Sequence, residues 1–395
     1  MIVAPLAITG LGAVAPGATG VAAFADNLRA GVDAIGPVRS FDASKHRSQI
    51  AAEVDDPQVD ALVRELDIGR SSALGLIAAR EALAAAERTD ACELGLIVGT
   101  ISGDSRRLFD EFAGLEQRPP AVRRRWLAEY ALEQVGHTLA RELRLRGPRW
   151  TVSTACASGN SALGLAARLL RHREVDVALV VGTDALRPLS MVCMDVLRVL
   201  DRSTIRPFDR HRRGTVVGEG AGALVLERAT PGDARALAWL AGYGESCDSQ
   251  HMVSPSHDGA GLVRAMRWAL AQAGCGPEAI DYINAHGTGT RLNDAIESRA
   301  VAAVFGDRAL AVPISSTKSM IGHTGAAAGT LEAIATIIAL RRGFIPPTIH
   351  FEQPDPDCPL DCVPNVSRST SVGVALSNAS GFGGVNASVL LRAPS

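Results

Sequence analysis

The feature of this sequence that most restricts its fold is an order of elements that occurs twice. Short apolar segments typical of buried strands alternate with Ala- and Leu-rich segments of helical spacing. In each half one strand runs into a Gly-Thr turn, at 97–100 and 283–290. Another strand ends in a turn of small residues that opens a long helix, at 153–173 and 316–341. The sequence therefore predicts a duplicated α/β unit, with a site where loops of both halves converge.

The predicted halves span residues 1–235 and 236–395. The Gly-rich segment 214–227 predicts a hairpin, and 371–391 predicts a second hairpin bent at GFGG. The other predicted strands are 5–12, 94–99, 150–153, 175–182 and 280–285, and the predicted helices are 73–86, 158–173, 261–273 and 326–341.

Charge and segment composition exclude several classes of function. The chain of 395 residues has a formal net charge of −2 at pH 7, so it lacks the basic bias of nucleic-acid-binding proteins. One local run, Arg123, Arg124 and Arg125, is expected to be a solvated helix face. The N-terminus has no basic signal-peptide segment, and no charge-free apolar run reaches the length of a membrane span. We therefore expect a protein that binds neither nucleic acid nor membrane.

The cysteines indicate a reducing compartment. There are seven, an odd number spread along the chain, which does not suit a disulfide framework. Cys358 and Cys362 share a Pro/Asp-rich loop without the His or Cys spacing of a zinc site. The sequence therefore predicts a cytoplasmic protein without a metal site.

Cys156 is a candidate nucleophile because it lies where a strand meets a helix. The segment STACASGNSALG places it between the predicted strand 150–153 and the helix that starts near residue 158, as in a nucleophile elbow. The unpaired N–H groups and the dipole of a helix N-terminus favour a thiolate. We therefore expect a pKa below the free thiol's value of about 8.5. A buried structural thiol is the other interpretation.

Two histidines and a lysine occupy similar boundaries. His286 ends the strand of NAHGTGTRLND, and His323 follows Lys318 by five residues in SSTKSMIGHTGAAAG. A lysine this close can hold the histidine ring through a hydrogen-bond chain and keep it neutral. Glu332, on an otherwise Ala/Ile-rich helix, needs a partner, and Lys318 is the candidate. Each residue alone is also compatible with a surface histidine or a solvated loop lysine.

The segment SNASGFGGVN places Phe382 between glycines. There a backbone N–H can face an oxyanion while the ring blocks a tunnel; an ordinary glycine hairpin is the other interpretation. The sequence contains no metal triad, no GxGxxG and no Walker A loop. The candidate residues together indicate covalent acyl chemistry without an inorganic or nucleotide cofactor.

Over almost its whole length the chain resembles β-ketoacyl-ACP synthases of the elongating type I/II class, in the thiolase superfamily. The motifs occur in the family's order: ITGLGAVAPGATG, TACASGNSALG, RPFDRHRRGTVVGEGAGALVLE, NAHGTGTRLND, STKSMIGHTGAAAG and SNASGFGGVN. The resemblance implies a duplicated thiolase-like fold of five layers (α/β/α/β/α), usually as a homodimer. It also implies ping-pong acyl transfer and decarboxylative condensation with malonyl-ACP. The phosphopantetheine arm belongs to the acyl carrier protein, so no cofactor is expected.

The resemblance assigns catalytic roles. It makes Cys156 the nucleophile that takes the acyl chain. His286 and His323 then bind the thioester carbonyl of the malonyl donor and stabilise the enolate formed as CO2 leaves. Lys318 supports His323, and Glu332 supports Lys318.

The resemblance also assigns binding roles. The N–H groups of Cys156 and Phe382 form the oxyanion hole. Thr288 and Thr290 hydrogen-bond the phosphopantetheine arm. Asp294 is the acid of the HGTGTxxND motif and is grouped with these substrate-binding residues.

Some positions depart from the family's pattern. Ser380 stands before the Gly-Phe turn, where the family commonly has a Phe, and Met194 stands where a Phe usually packs; the stretch 200–206 is short. These changes imply an altered acyl pocket and favour a specialised pathway, such as polyketide or polyene assembly, over primary fatty acid elongation. Ile101 aligns with the position that limits chain length. Arg198 aligns with a carrier-protein contact, although a solvated arginine is equally compatible.

Two other functions stay open. One is a ketosynthase-fold acyltransferase that transfers an acyl group without decarboxylation, and the other is a non-catalytic pairing subunit. The presence of both His286 and His323 favours condensation. A heterodimer with a Cys-less paralogue is the alternative to the homodimer.

Overall fold

The computed structural model describes most of the chain. The described residues are 2–88, 92–104, 119, 131–230 and 232–394. The arginine run at 123–125, for which a solvated helix face was expected, lies outside them.

The elements alternate along the chain as the apolar pattern predicts. Strands β1 to β15 are Leu6–Ala15, Ala18–Thr19, Gly36–Pro37, Ile50–Ala51, Gly95–Gly99, Arg149–Val152, Val177–Asp184, Gly220–Glu227, Ala238–Cys247, Tyr282–Asn284, Ile314–Ser315, Phe344–Ile345, Arg368–Ser369, Val374–Gly381 and Val385–Arg392. Helices α1 to α10 are Val21–Ala30, Pro57–Glu65, Arg70–Ala85, Gln134–Glu142, Ser158–Arg171, Pro188–Val196, Ala260–Ala273, Arg291–Phe305, Lys318–Ile321 and Ala327–Arg342. Short 3-10 helices lie at Pro277–Ala279 and Gly306–Leu310.

The two halves have the same sheet topology. The N-terminal strands follow the order β6–β5–β7–β8–β1, and the C-terminal strands follow the order β11–β10–β14–β15–β9. Each half therefore arranges its five main strands as third, second, fourth, fifth and first. In both, the first three neighbours are parallel and the remaining pairs antiparallel. β1 and β9 join the halves into one sheet by pairing through Leu6, Ala7 and Ile8.

Helices lie on both sides of the strands and between them. α3 packs outside the N-terminal strands, and α7 packs outside the C-terminal ones. α5 and α10 contact each other and strands of both halves. α10 is buried from Ala327 to Leu340, as expected of a helix covered all round. This confirms the predicted duplicated α/β fold with five layers.

Glycines let the two central helices meet at their first turns. A Cβ on Gly159 would lie 2.8 Å from the carbonyl oxygen of Ala326 and 2.8 Å from the amide of Thr330. A Cβ on Gly329 would lie 2.6 Å from the amide of Asn160. Because backbone touches backbone here, the segments that precede α5 and α10 are also brought together. Cys156 precedes one helix and His323 precedes the other.

One predicted hairpin is confirmed and the other is wrong. β14 and β15 pair in register around a turn at 382–384. Within the segment 214–227, Gly220–Glu227 instead forms a single strand, β8, which pairs with β1 on one side and β7 on the other. Because β8 has a neighbouring strand on each side, neither of its edges is free to pair with a second strand of the same segment. The preceding residues form isolated bridges, among them Val217 with His323.

The predicted boundary at residues 235 and 236 falls in the connection between β8 and β9, and it stays a prediction about domain organisation. Among the described helices, none is both long and apolar enough to cross a bilayer.

Candidate active site

Cys156 lies in a tight turn between β6 and α5. The residue before it, Ala155, has a φ of 51°, a left-handed conformation that is unfavourable for a residue with a Cβ. Hydrogen bonds hold the turn. Ser158 Oγ accepts from the Thr154 amide at 2.9 Å and donates to the Ala155 carbonyl at 2.6 Å. The predicted strand-to-helix elbow is therefore present and is tied at both ends.

The Cys156 thiol is buried, with 6% of the residue exposed. Burial raises its pKa to about 12, and the positive charge of Lys318 opposes this only in part. The expectation of a lowered pKa is therefore wrong, because loss of hydration outweighs the effect of the Lys318 charge. The thiol therefore keeps its proton near pH 7.

His286 and His323 face each other edge to face, with ring centroids 5.5 Å apart and planes at 83°. Burial, together with the charge of Lys318, lowers the pKa of His323 to about 3. Burial, Lys318 and His323 hold the pKa of His286 well below its usual value. Both rings are therefore neutral near pH 7, and each can donate one N–H without carrying a charge.

Lys318 and Glu332 form an ion pair with both side chains 1% exposed. Burial raises the pKa of Glu332 to about 7 despite the attraction of Lys318. His323 Nδ1 has no direct hydrogen-bond partner among the described residues, so the expected hydrogen-bond chain from Lys318 to His323 stays a prediction. Burial keeps the ring neutral by lowering its pKa, and the charge of Lys318 adds to this effect.

The turn that carries Phe382 rests on the Cys156 elbow. A Cβ on Gly381 would lie 2.6 Å from the Thr154 carbonyl oxygen and 3.3 Å from the Ala157 amide. Glycine at this position therefore lets the turn approach the elbow closely. The tip of the turn is tied to a neighbouring loop, because the Gly383 amide donates to the Met252 carbonyl at 2.7 Å.

A cavity of about 220 Å³ brings most of the predicted site together. Eight of the thirteen predicted residues line it: Cys156, Met194, His286, Thr288, Thr290, His323, Ser380 and Phe382. Lys318 and Glu332 are buried and do not line it. Within the described ranges, no group of three or more His, Cys, Asp or Glu side chains is placed to hold a metal ion.

Comparisons with known proteins agree with this arrangement. Residues 4–231 match the N-terminal domain of beta-ketoacyl synthases, and residues 237–352 match the C-terminal domain. The chain belongs to the β-ketoacyl synthase family. It is an acyltransferase of the 3-oxoacyl-ACP synthase type, which acts in fatty acid or polyketide biosynthesis.

Curated relatives of this β-ketoacyl synthase come from both kinds of pathway. The tetracenomycin polyketide synthase ketoacyl synthase alpha subunit of Streptomyces glaucescens is 38% identical over 98% of this chain and 96% of its own. The 3-oxoacyl-[acyl-carrier-protein] synthase 2 of a Synechocystis strain is 36% identical over 98% of this chain and 97% of its own.

Solved structures have the same fold. The ishigamide ketosynthase/chain length factor matches with a TM-score of 0.91 and 37% identity, over 99% of both chains. The ketosynthase ApeO of Xenorhabdus doucetiae, solved in complex with its chain length factor ApeC, matches with a TM-score of 0.84 and 30% identity over 98% of both chains.

Besides Lys318 and Glu332, three predicted residues of the synthase do not line the cavity. Asp294 is fully buried and accepts from the amides of Phe208 at 2.8 Å and Gly289 at 3.2 Å. It therefore shapes the turn that carries the threonines, and its grouping with the substrate-binding residues stays a prediction. Ile101 is half-buried, and Arg198 is exposed beside the cavity wall.

The sequence reasoning missed two buried carboxylates of the synthase. Glu297 accepts from the amides of His286 at 2.9 Å and Gly287 at 2.8 Å. Asp184 accepts from the Ala326 amide at 2.7 Å and the Ile101 amide at 3.1 Å. Glu297 lies on the helix after the histidine turn, and Asp184 ends a buried strand. An acidic residue in an apolar segment was therefore the sequence feature that could have revealed each of them.

Proposed function

We propose that the synthase lengthens an acyl chain held on Cys156 by decarboxylative Claisen condensation with a malonyl thioester. The observation that carries this proposal is that one cavity is lined by a thiol and by two neutral imidazoles, those of His286 and His323. The thiol can hold the chain, and the imidazoles can stabilise an enolate without a charge of their own.

In the first half-reaction, Cys156 Sγ attacks the thioester carbonyl of the incoming acyl group. The new C–S bond forms while the N–H groups of Cys156 and Phe382 hold the oxyanion. The old C–S bond then breaks, and the departing thiolate takes the proton that the Cys156 thiol gave up. Because this proton passes from one sulfur to the other, the high pKa of Cys156 does not require its release to solvent.

In the second half-reaction, His286 and His323 donate hydrogen bonds to the thioester carbonyl oxygen of the malonyl group. The bond to the carboxylate breaks, CO2 leaves, and its electron pair forms the enolate. The enolate carbon attacks the Cys156 thioester, and a C–C bond forms. The Cys156 sulfur leaves as a thiolate and takes up one proton. The product is a chain longer by two carbons, with a 3-oxo group.

The remaining site residues position these groups. Burial keeps the imidazoles neutral, and the charge of Lys318, which is paired with Glu332, adds to this effect. Thr288 and Thr290 have hydroxyls 3.0 Å apart on the cavity wall, where they can bond the amides of a phosphopantetheine arm. Asp294 holds the turn that carries them by accepting a hydrogen bond from the Gly289 amide.

We further propose that an acyl carrier protein brings both substrates. Its phosphopantetheine arm supplies the thiol, so the synthase needs no cofactor of its own. Structural relatives include a ketosynthase in complex with an acyl-carrier protein and ketosynthases with chain length factors. These complexes support a dimer with a second copy or with a Cys-less paralogue. We also propose that the synthase acts in the cytoplasm.

The cavity wall supports a specialised acyl chain. Met194 is a flexible side chain where an aromatic is usual, and flexible thioethers adapt to unusual shapes. Ser380 also lines the cavity, and its hydroxyl donates to Asn386 Oδ1 at 2.7 Å. A polyketide or polyene chain suits this mixed wall better than a saturated fatty chain does.

The test uses labelled malonyl-ACP and an acyl primer. We expect labelled CO2, a 3-oxoacyl product and an acyl adduct on Cys156 by intact mass, with the adduct lost in Cys156→Ala. Acyl transfer to an acceptor without CO2 release would establish the acyltransferase alternative. Absence of an adduct in the native protein would establish a non-catalytic subunit.

A further inference from the structure

A second cavity lies on the other side of the Cys156 elbow. It measures about 480 Å³ and shares no lining residue with the catalytic cavity. Its wall includes Thr154, Ser161 and Glu245, and exposed residues such as Arg168 and His172 form its outer part. The cavity therefore connects solvent to the residues that hold the elbow.

A chain of hydrogen bonds runs from this cavity to the elbow. Thr154 Oγ1 donates to Ser161 Oγ at 2.8 Å, and Ser161 Oγ donates to Glu245 Oε1 at 2.5 Å. Thr154 is two residues before Cys156, and Ser161 lies in the first turns of α5. Glu245 belongs to β9, in the other half of the molecule. The carboxylate thus ties the nucleophile turn to the C-terminal sheet.

The elbow needs such a tie because its backbone is strained. Ala155 has a φ of 51°, and a strained conformation of this kind persists only where the surroundings over-determine it. Ser158 holds the inner side of the turn through the Thr154 amide and the Ala155 carbonyl. Without Glu245, the Ser161 hydroxyl can turn to a carbonyl of its own helix, and the Thr154 side chain loses its oriented acceptor.

We infer that Glu245 is a positioning residue for the reaction at Cys156, acting through Ser161 and Thr154. This inference rests on the proposal that Cys156 is the nucleophile. It applies to the half-reaction in which the Cys156 sulfur attacks, and it does not apply to decarboxylation at His286 and His323.

The first experiment compares rates at Cys156 in the full-length protein. Peptide mapping follows iodoacetamide labelling and acylation from an acyl thioester in the native protein and in Glu245→Ala. We expect both rates to fall about tenfold, since small displacements of reacting groups have effects of this size or larger. Decarboxylation of malonyl thioester, measured in a Cys156→Ala background, should stay the same with and without Glu245→Ala.

Chemical rescue separates a positioning role from general damage. The cavity opens to solvent, so formate can enter the space left in Glu245→Ala and accept from Ser161. We expect formate to restore most of the lost rate. In Ser161→Ala the rate should fall similarly, but formate should have no effect.

Two matched variants complete the design. Glu245→Gln keeps an acceptor oxygen and should retain most of the rate. His172→Asn changes an exposed side chain that lines the same cavity away from the Ser161–Glu245 pair, so it should react as the native protein does. If Glu245→Ala does not fold, the other two variants still test the inference. A low rate at Cys156 in Ser161→Ala, together with a nearly native rate in Glu245→Gln, would support it equally.

Two results would overturn the inference. One is a native rate at Cys156 in Glu245→Ala or Ser161→Ala. The other is an equal loss of labelling and decarboxylation without rescue by formate. If the native protein forms no acyl adduct on Cys156, the proposed function fails instead, and the iodoacetamide rates still test the link between Glu245 and the elbow.

Discussion

At the scale of single residues, the reactive groups keep neutral forms in a buried site. The Cys156 thiol retains its proton because burial raises its pKa to about 12, and the imidazole of His323 stays unprotonated because burial lowers its pKa to about 3. Both shifts have the same physical cause, which is the loss of hydration of a charged form. Because the Cys156 thiol and the His323 imidazole are both neutral, an acyl chain can enter beside them without covering a charged group with apolar atoms.

The high pKa of Cys156 predicts how its reactivity depends on pH. Below the pKa, the thiolate fraction rises tenfold for each pH unit, so labelling by iodoacetamide should rise with a slope of about one in log rate between about pH 7 and pH 9. Peptide mapping measures this rate separately from the exposed Cys193 and Cys247, and Cys156→Ser identifies the labelled peptide. A plateau near neutral pH would mean that the thiolate is already formed.

The second histidine supports a prediction about one half-reaction. His323→Asn replaces the imidazole by an amide, whose N–H donor lies at a different place in the cavity. Loss of one preorganised donor typically costs about 3–4 kcal/mol of barrier. Release of labelled CO2 from malonyl thioester should therefore fall about 100- to 1000-fold, while acylation of Cys156 changes little. His137→Asn, at an exposed position outside the cavity, is the matched control. An equal loss in both half-reactions would contradict the assignment.

At the scale of elements, the sequence predicted what depends on local apolar spacing. α5, observed at Ser158–Arg171, and the hairpin of β14 and β15 match their predictions within a few residues. The segment 214–227 was predicted wrongly as a hairpin, because glycines that suggest a turn instead allow β8 to pack closely against a helix. A Cβ on Gly222 would lie 2.7 Å from Thr330 Oγ1 of α10. A pattern along one segment cannot reveal a neighbour more than a hundred residues away.

The contact of α5 with α10 can be tested with one added methyl group. In Gly159→Ala the new Cβ would lie 2.8 Å from the Ala326 carbonyl oxygen and 3.0 Å from the Gly329 Cα. Because backbone atoms cannot turn aside as a side chain can, the helices must separate, and we expect a loss of about 1–3 kcal/mol in unfolding free energy. Urea denaturation measures this loss.

The activity of Gly159→Ala should fall as well, since Cys156 and His323 precede the two helices. Gly36→Ala is the matched control, because a Cβ there meets nothing within 4 Å. We expect the control to change stability by less than about 0.5 kcal/mol. If both variants unfold alike, the close approach of the central helices is not important for stability.

At the scale of the whole molecule, the site requires both halves. Cys156 comes from the N-terminal half, and His286, His323 and Phe382 come from the C-terminal half. The repeated order of elements predicted a site at the junction, and the family resemblance supplied the residues. Glu245 and the buried carboxylates Glu297 and Asp184 escaped notice because their partners do not follow from spacing along the chain.

The buried ionisable groups of the site also affect the stability of the whole molecule, with opposite signs. His323 stays neutral when folded but takes a proton when unfolded, so its contribution falls as the pH drops below about 6.5 toward 3. Glu332 loses its proton at a higher pH in the folded state than in the unfolded state, so its contribution falls as the pH rises from about 4.5 to about 7. Between about pH 4.5 and pH 6.5 the two effects oppose each other. Carboxylates with lowered pKa values, such as Asp258, act below this window.

In the native protein the two residues change the unfolding free energy with pH in opposite directions, and these changes nearly cancel. Single variants of each residue should therefore reveal them separately. Relative to the native protein, His323→Asn should gain stability as the pH falls from 6.5 to 4.5, by about 1.4 kcal/mol per unit. Glu332→Gln should gain stability at a similar rate as the pH rises from 4.5 to 7, because the amide keeps an acceptor for Lys318 without a charge. Urea unfolding at several pH values measures both differences. Parallel curves of unfolding free energy against pH for the native protein and His323→Asn would show that the imidazole has the same pKa in the folded and unfolded states. That result would remove the basis for two neutral histidine donors in the site.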